Sequence, residues 1–194
     1  MAMDASGKVV ANLEGERSVG GFRGMMKAGQ EYRDFKAKAE KGDPVAKIEY
    51  FIRALKLGEF KLDAARKHIE TLKGVTPEQK ARIDGLIVGL EVDEALEPLR
   101  KVKERGKAME IRVDLGRKFW EMHKSGRIPG DDSPFGTFYS FVLDFAENDK
   151  NIPVFEVALK ALQDRFPNGN KGFFKAKADI LEKMKEEKAE KEPK

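Results

Sequence analysis

Four prolines divide this chain more firmly than any other feature. Asp43-Pro44, Thr76-Pro77, Ser133-Pro134 and Ile152-Pro153 each stand directly before a stretch with helical apolar spacing. Proline has no backbone N–H and clashes with the preceding turn, so it is tolerated in the first helical turn and not in mid-helix. The four dipeptides therefore predict four helix starts. The stripes behind them are consistent: Ile48, Phe51, Ile52, Leu55 after the first, and Ile83, Leu86, Ile87, Leu90 after the second. Phe138, Phe141, Val142 and Phe145 follow the third, and Phe155, Ala158, Leu159, Leu162 and Phe166 the fourth. The i, i+3, i+4, i+7 pattern is the buried face of an amphipathic helix.

Other signals fill in the gaps. Thr76-Pro77-Glu78-Gln79 has the form of a capping box, in which Thr76 and Gln79 each satisfy the other's free backbone N–H. Gly42 suits a left-handed C-cap, and Gly58 separates two helices that read as an antiparallel hairpin. An earlier helix carries Phe22, Met25, Met26, Gly29, Tyr32 and Phe35 close to one face. Lys107–Lys124 is helical, with Met109, Val113, Gly116, Trp120 and His123 along one side and Phe119 adjacent. Between Gly89 and Pro98 a boundary or bend is expected, because Pro98 interrupts an otherwise helical Val92–Arg105. Ser125–Asp132 is the longest non-helical stretch of this part, and Asp132 or Ser133 is expected to cap the helix after it. The last helix carries Phe173, Phe174, Ala178, Leu181 and Met184. The fold class is thus all-α: antiparallel helix hairpins, with a short β-like segment, Lys8–Leu13, at the N-terminus.

Two resemblances follow from particular residues. Counted from Lys150, the spacing to Phe155, Leu159, Leu162 and Pro167 is similar to a tetratricopeptide repeat, and the hairpin from Gly58 fits with a small insertion before Pro77. This implies hairpins stacked as a degenerate tetratricopeptide-like array. At the other end, Asp4-Ala5-Ser6-Gly7-Lys8-Val9-Val10-Ala11, then Glu14-Gly15, then a helix near Ser18–Phe22, resembles the tail of a thioredoxin fold. That resemblance implies a remnant of a thioredoxin-like domain at 1–27, a helical repeat-like domain at 28–188 and a frayed charged tail at 189–194. The family's Cys-x-x-Cys motif has no counterpart, so no redox residue carries over. Met1-Ala2-Met3 reads as a start joined to a piece of a longer chain, from which an export signal could have been removed. The compartment is left open.

Composition narrows the function. The chain has no cysteine, which removes disulfides, thiolate metal sites and thiol catalysis. Lys and Arg number 38 against 34 Asp and Glu, interleaved rather than gathered in one stripe. A dedicated nucleic-acid binder concentrates its excess, so nucleic acid is not the expected partner, and a nucleic-acid or polyanion-binding helical domain is the alternative function. No apolar run approaches membrane-spanning length, so no membrane and a soluble chain are expected. His68 and His123 lack ligand-type helical neighbours and read as structural; no metal or other cofactor is expected. Asp131-Asp132-Ser133 fits a helix cap better than a cation loop. No serine sits in a nucleophile elbow, and Gly20-Gly21-Phe22-Arg23-Gly24 lacks the Lys-Ser/Thr of a phosphate loop.

The expected function is a non-catalytic protein-interaction or scaffold domain, not an enzyme, taking a protein or peptide partner. Its partner-binding rim is placed at Trp120, His123, Arg127, Phe135 and Tyr139, beside the Ser125–Asp132 loop. The strand Lys8–Leu13, lacking sheet partners, is expected to be poorly tied to the helices or to pair with the same strand of another copy, giving a homodimer.

Overall fold

The computed structural model describes residues 1–3, 7–11 and 18–191, with the side chain of residue 191 excepted. Its elements are β1 (Ala2–Met3), β2 (Val9–Ala11), α1 (Val19–Glu40), α2 (Pro44–Lys56), α3 (Leu62–Ile69), α4 (Pro77–Ala95), α5 (Glu97–Arg100), α6 (Arg105–Lys124), α7 (Asp132–Asn148), α8 (Ile152–Arg165) and α9 (Lys171–Lys191). The fold is all-α with a two-stranded N-terminal hairpin, as the sequence indicates. No described helix is long and apolar enough to cross a membrane.

Each proline lies in a first turn. Pro44 and Pro77 open α2 and α4, Pro153 is the second residue of α8, and Pro134 the third of α7. Asp43 caps α2 by accepting from the N–H groups of Val45 and Ala46. The capping box forms in both directions: Thr76 N–H donates to Gln79 Oε1 at 3.1 Å, and Gln79 N–H to Thr76 Oγ1 at 3.2 Å. The expected break before Pro98 is the α4–α5 boundary at Leu96. At α7 the capping expectation is corrected. The N-cap residue is Asp131, whose side chain makes no cap hydrogen bond, while Asp132 turns to Arg165. α9 runs on to Lys191, past residue 188, where helix was expected to end.

The chain divides into two compact units, Met1–Leu90 and Glu91–Lys194. The expected boundary at 27/28 falls inside α1.

In the first unit, Ile48, Phe51, Ile52 and Leu55 of α2 meet Ala65 of α3 and Ile83, Leu86 and Ile87 of α4 in one apolar cluster. His68 packs against it, its ring 4.6 Å from Phe51 and 5.3 Å from Phe60. Burial lowers its pKa below the ordinary imidazole value, because a charge there would lose its water. On α1 only Met25, Gly29 and Tyr32 are buried; Phe22 and Met26, expected on the same face, are exposed.

The N-terminal strand departs most from expectation. β2 pairs antiparallel with β1 of the same chain, Ala2 opposite Ala11 and Met3 opposite Val9. Val10 is buried with Tyr32 and Ala54. Gly29 makes room for it: a Cβ there would stand 3.3 Å from Val10 Cγ2 and 3.6 Å from Ala11 Cβ. Lys8 Nζ reaches Glu59 at 2.6 Å, and the same carboxylate accepts from Tyr32 Oη at 2.5 Å. The described part of the segment is therefore tied to the helices by burial and by an ion pair. β2 has a strand partner within its own chain. Asp4-Ala5-Ser6 and Glu14-Gly15, which also carried the thioredoxin resemblance, and Asn12-Leu13 of the expected strand lie outside the described residues.

In the second unit α6 packs on α7, α7 on α8 and α8 on α9. The buried side of α6 is Val113, Gly116, Phe119 and Met122. This corrects the sequence reading, since Met109 is exposed and Phe119 fully buried. Gly116 is the point of closest approach. A Cβ at this position would lie 2.1 Å from the Phe141 carbonyl oxygen and 2.6 Å from Phe145 Cβ. Above it, Phe119 stacks on Phe138 with ring centres 5.0 Å apart. Ion pairs flank the crossing: Arg112 to Asp144, Arg117 to Asp149, and Lys177 of α9 to Glu147. Lys150, ahead of α8, is the only non-glycine described with positive φ, at 54°.

Candidate functional site: an aromatic ladder and an open groove in the second unit

The five residues expected at the rim are mostly brought together. Trp120 and His123, one turn apart on α6, stack with ring centres 4.7 Å apart and planes 11° from parallel. His123 Nδ1 lies 2.9 Å from Tyr139 Oη, and the Tyr139 ring is 4.7 Å from Phe135. Phe135 in turn faces Phe166, with Arg165 over its ring at 5.2 Å. The ladder thus crosses from α6 over the start of α7 to the end of α8.

One of the five is not at the surface, and another is held in an ion pair. Tyr139 is buried, 2% exposed, so it supports His123 from below rather than meeting a partner. Burial pushes its hydroxyl pKa up to about 12. Arg127 is exposed but pairs with Glu91. Its position is set by Gly126, whose φ of 75° closes α6 with Gly126 N–H on His123 O and Arg127 N–H on Met122 O. Burial also holds the His123 pKa below the ordinary imidazole value. The ring is thus neutral near pH 7, and its contacts are those of a packed aromatic with one polar handle.

The structure also contains a site that sequence reasoning missed. An open groove of about 530 Å³ is lined by Leu96 of the α4–α5 junction, Leu99 and Arg100 of α5, Arg112 of α6, and Gly136, Thr137, Ser140 and Phe141 of α7. Leu96, Leu99 and Phe141 supply apolar surface. Gly136, Thr137 and Ser140 are small, so the α7 wall lies close to its own backbone. Both hydroxyls are turned inward: Thr137 Oγ1 donates to Ser133 O at 3.1 Å and Ser140 Oγ to Gly136 O at 2.7 Å. Each oxygen therefore keeps its acceptor capacity while its proton is committed.

The two guanidinium groups are held differently. Arg112 donates Nε to Asp144 Oδ2 at 2.7 Å, with Nη2 on the same oxygen, and lies 4.2 Å from the Phe141 ring centre. It is fixed on two sides. Arg100 pairs with Glu97 and lies 4.0 Å from Asp93, all three being exposed. Exposed pairs of this kind contribute about 0–1 kcal/mol, so that guanidinium exchanges partners readily.

Among the described residues no group of three or more His, Asp or Glu side chains is arranged to hold a metal ion. The groove residues include acceptors, cations and apolar carbons. That set can recognise and hold a ligand; it contains no nucleophile paired with a base. Comparison of the chain with family models, with curated proteins and with solved structures finds no match.

Proposed function

We propose that this chain is a non-catalytic protein-interaction or scaffold domain, and that its second unit takes a peptide segment of a partner protein. The reading includes a tetratricopeptide-like stacking of the hairpins and an attachment to a thioredoxin-like domain, both of which rest on the sequence resemblances. The observation that carries it is the groove between α5, α6 and α7. It is open, lined by apolar and polar groups together, and mounted on the close contact at Gly116, so the wall formed by α6 and α7 is preorganised. Preorganised surface binds without the ordering cost that a mobile loop would carry. The aromatic ladder lies along the same two helices, with Trp120 and Phe135 partly exposed.

Selection from a displayed random-peptide library tests the reading. Peptides should enrich on the wild-type protein and be lost on Leu99→Asp, which places a charge on the apolar wall. A selection that enriches nothing, or whose peptides bind Leu99→Asp equally well, refutes a groove-based interaction function.

A further inference from the structure

We infer that the groove between α5, α6 and α7 recognises an acidic peptide segment, in which an apolar side chain stands beside a carboxylate. This rests on the interaction reading above and names the chemistry of the partner. Three features of the lining converge on it.

The first is charge. The groove is lined by two guanidiniums and by no carboxylate. Arg112 is already oriented by Asp144 through Nε and Nη2, and its Nη1 takes no part in that pair. Arg100 is exposed, and its exposed partners Glu97 and Asp93 are weak competitors for it. A ligand carboxylate therefore meets one fixed and one exchangeable guanidinium, the combination suited to charge-assisted hydrogen bonding. The second is apolar surface. Leu96, Leu99 and Phe141 offer a place for one aliphatic or aromatic side chain, and burying it contributes about 1.5–3 kcal/mol.

The third separates a peptide from other anions that carry an apolar body. Thr137 and Ser140 face the groove as acceptors, since both hydroxyl protons are donated back into α7. They are matched by N–H donors. A peptide backbone brings such donors beside its side chains, whereas a fatty-acid chain or a phosphate brings none. Gly136 has no side chain, so the α7 backbone itself lines that wall.

The test uses the full chain and two fluorescein-labelled peptides of six residues. One is Gly-Asp-Leu-Phe-Glu-Gly; the other replaces Asp and Glu with Asn and Gln. Fluorescence anisotropy should show the acidic peptide binding at least tenfold more tightly, with an affinity that falls as salt is raised. Arg100→Gln should remove most of that preference. Thr137→Val, which keeps the shape and deletes the acceptor, should weaken both peptides several-fold. Circular dichroism of each variant checks that the helices are retained. Equal affinity for the two peptides overturns the acidic assignment while leaving the interaction reading in place. Binding of neither also overturns it, and the library selection then decides the broader reading separately. Single-stranded RNA binding with the same dependence on Arg100 would show a polyanion site instead, and would equally refute a peptide site.

Discussion

Replacing Gly116 with alanine adds one methyl group, and its effect can be worked from the crossing of α6 and α7. In an open helix position the change stabilises by up to about 1 kcal/mol, because glycine loses more backbone freedom on folding. At Gly116 the new Cβ would sit 2.1 Å from the Phe141 carbonyl oxygen and 2.8 Å from its carbon. Ordinary contact begins near 3.4 Å, so the helices must separate by more than about 1 Å. The obstacle is backbone, and no side-chain rotamer relieves it. Separation by even half of that forfeits a quarter or more of the dispersion energy across the interface, including the stacking of Phe119 on Phe138. Overpacking typically costs about 1–3 kcal/mol and here falls at or above the upper end, outweighing the propensity gain by about 2 kcal/mol or more. With about 4–8 °C per kcal/mol for a unit of this size, the second unit should melt at least about 8 °C lower. Gly106, on the same helix, supplies the control, since a Cβ there meets nothing within 4 Å. Thermal unfolding by far-UV circular dichroism should show Gly106→Ala unchanged or slightly raised and Gly116→Ala well below wild type. Equal melting of the two variants would refute the argument.

Three further outcomes are expected. Val10→Ala should destabilise the first unit by about 1–3 kcal/mol in urea unfolding, since it removes buried surface from against Tyr32 and Ala54; no change would mean that the hairpin is not part of that core. Lys150→Gly should stabilise the second unit by about 0.5–1 kcal/mol in the same assay, because glycine adopts its positive φ without strain and the Lys150–Glu187 pair lost is exposed; a loss of stability would contradict this. His68 and His123 both have pKa values lowered by burial, so the unfolded chain binds protons more readily than the folded one. Stability is therefore full above the ordinary value of 6.5 and declines as pH falls below it toward the folded values. Melting temperatures from pH 7 to pH 5 should show a fall that His68→Gln and His123→Gln each reduce.

Features determined within a few neighbouring residues could be read from the sequence. Thr76 and Gln79 meet because three residues separate them, whatever the rest of the chain does, and each proline is limited by its own preceding turn. Features set by a distant neighbour could not. Gly116 counts as one small residue on an apolar side until Phe141 is placed against it. Met109 fits the period of α6 yet is exposed, since periodicity gives a helix face without saying how far along the helix a neighbour extends. Tyr139 is expected at the surface because it follows a long loop, but the packing of α6 on α7 buries it, with its hydroxyl 2.9 Å from His123 Nδ1. The groove was illegible for a related reason. Its wall is α5, whose four residues are too few to show any period, and its two arginines lie on elements brought together only by folding.

The stacking of Trp120 on His123 has a spectroscopic consequence. Trp120 is the chain's single tryptophan, so all indole emission comes from this one place in the second unit. A protonated imidazole in face contact quenches an excited indole much more strongly than a neutral one. The emission intensity of the unlabelled protein is therefore an internal indicator of His123 protonation, and its dimming on acidification should precede any red shift. Because the first unit has no indole of its own, a denaturation curve taken by emission reports the second unit alone, and comparison with the helical signal separates the melting of the two.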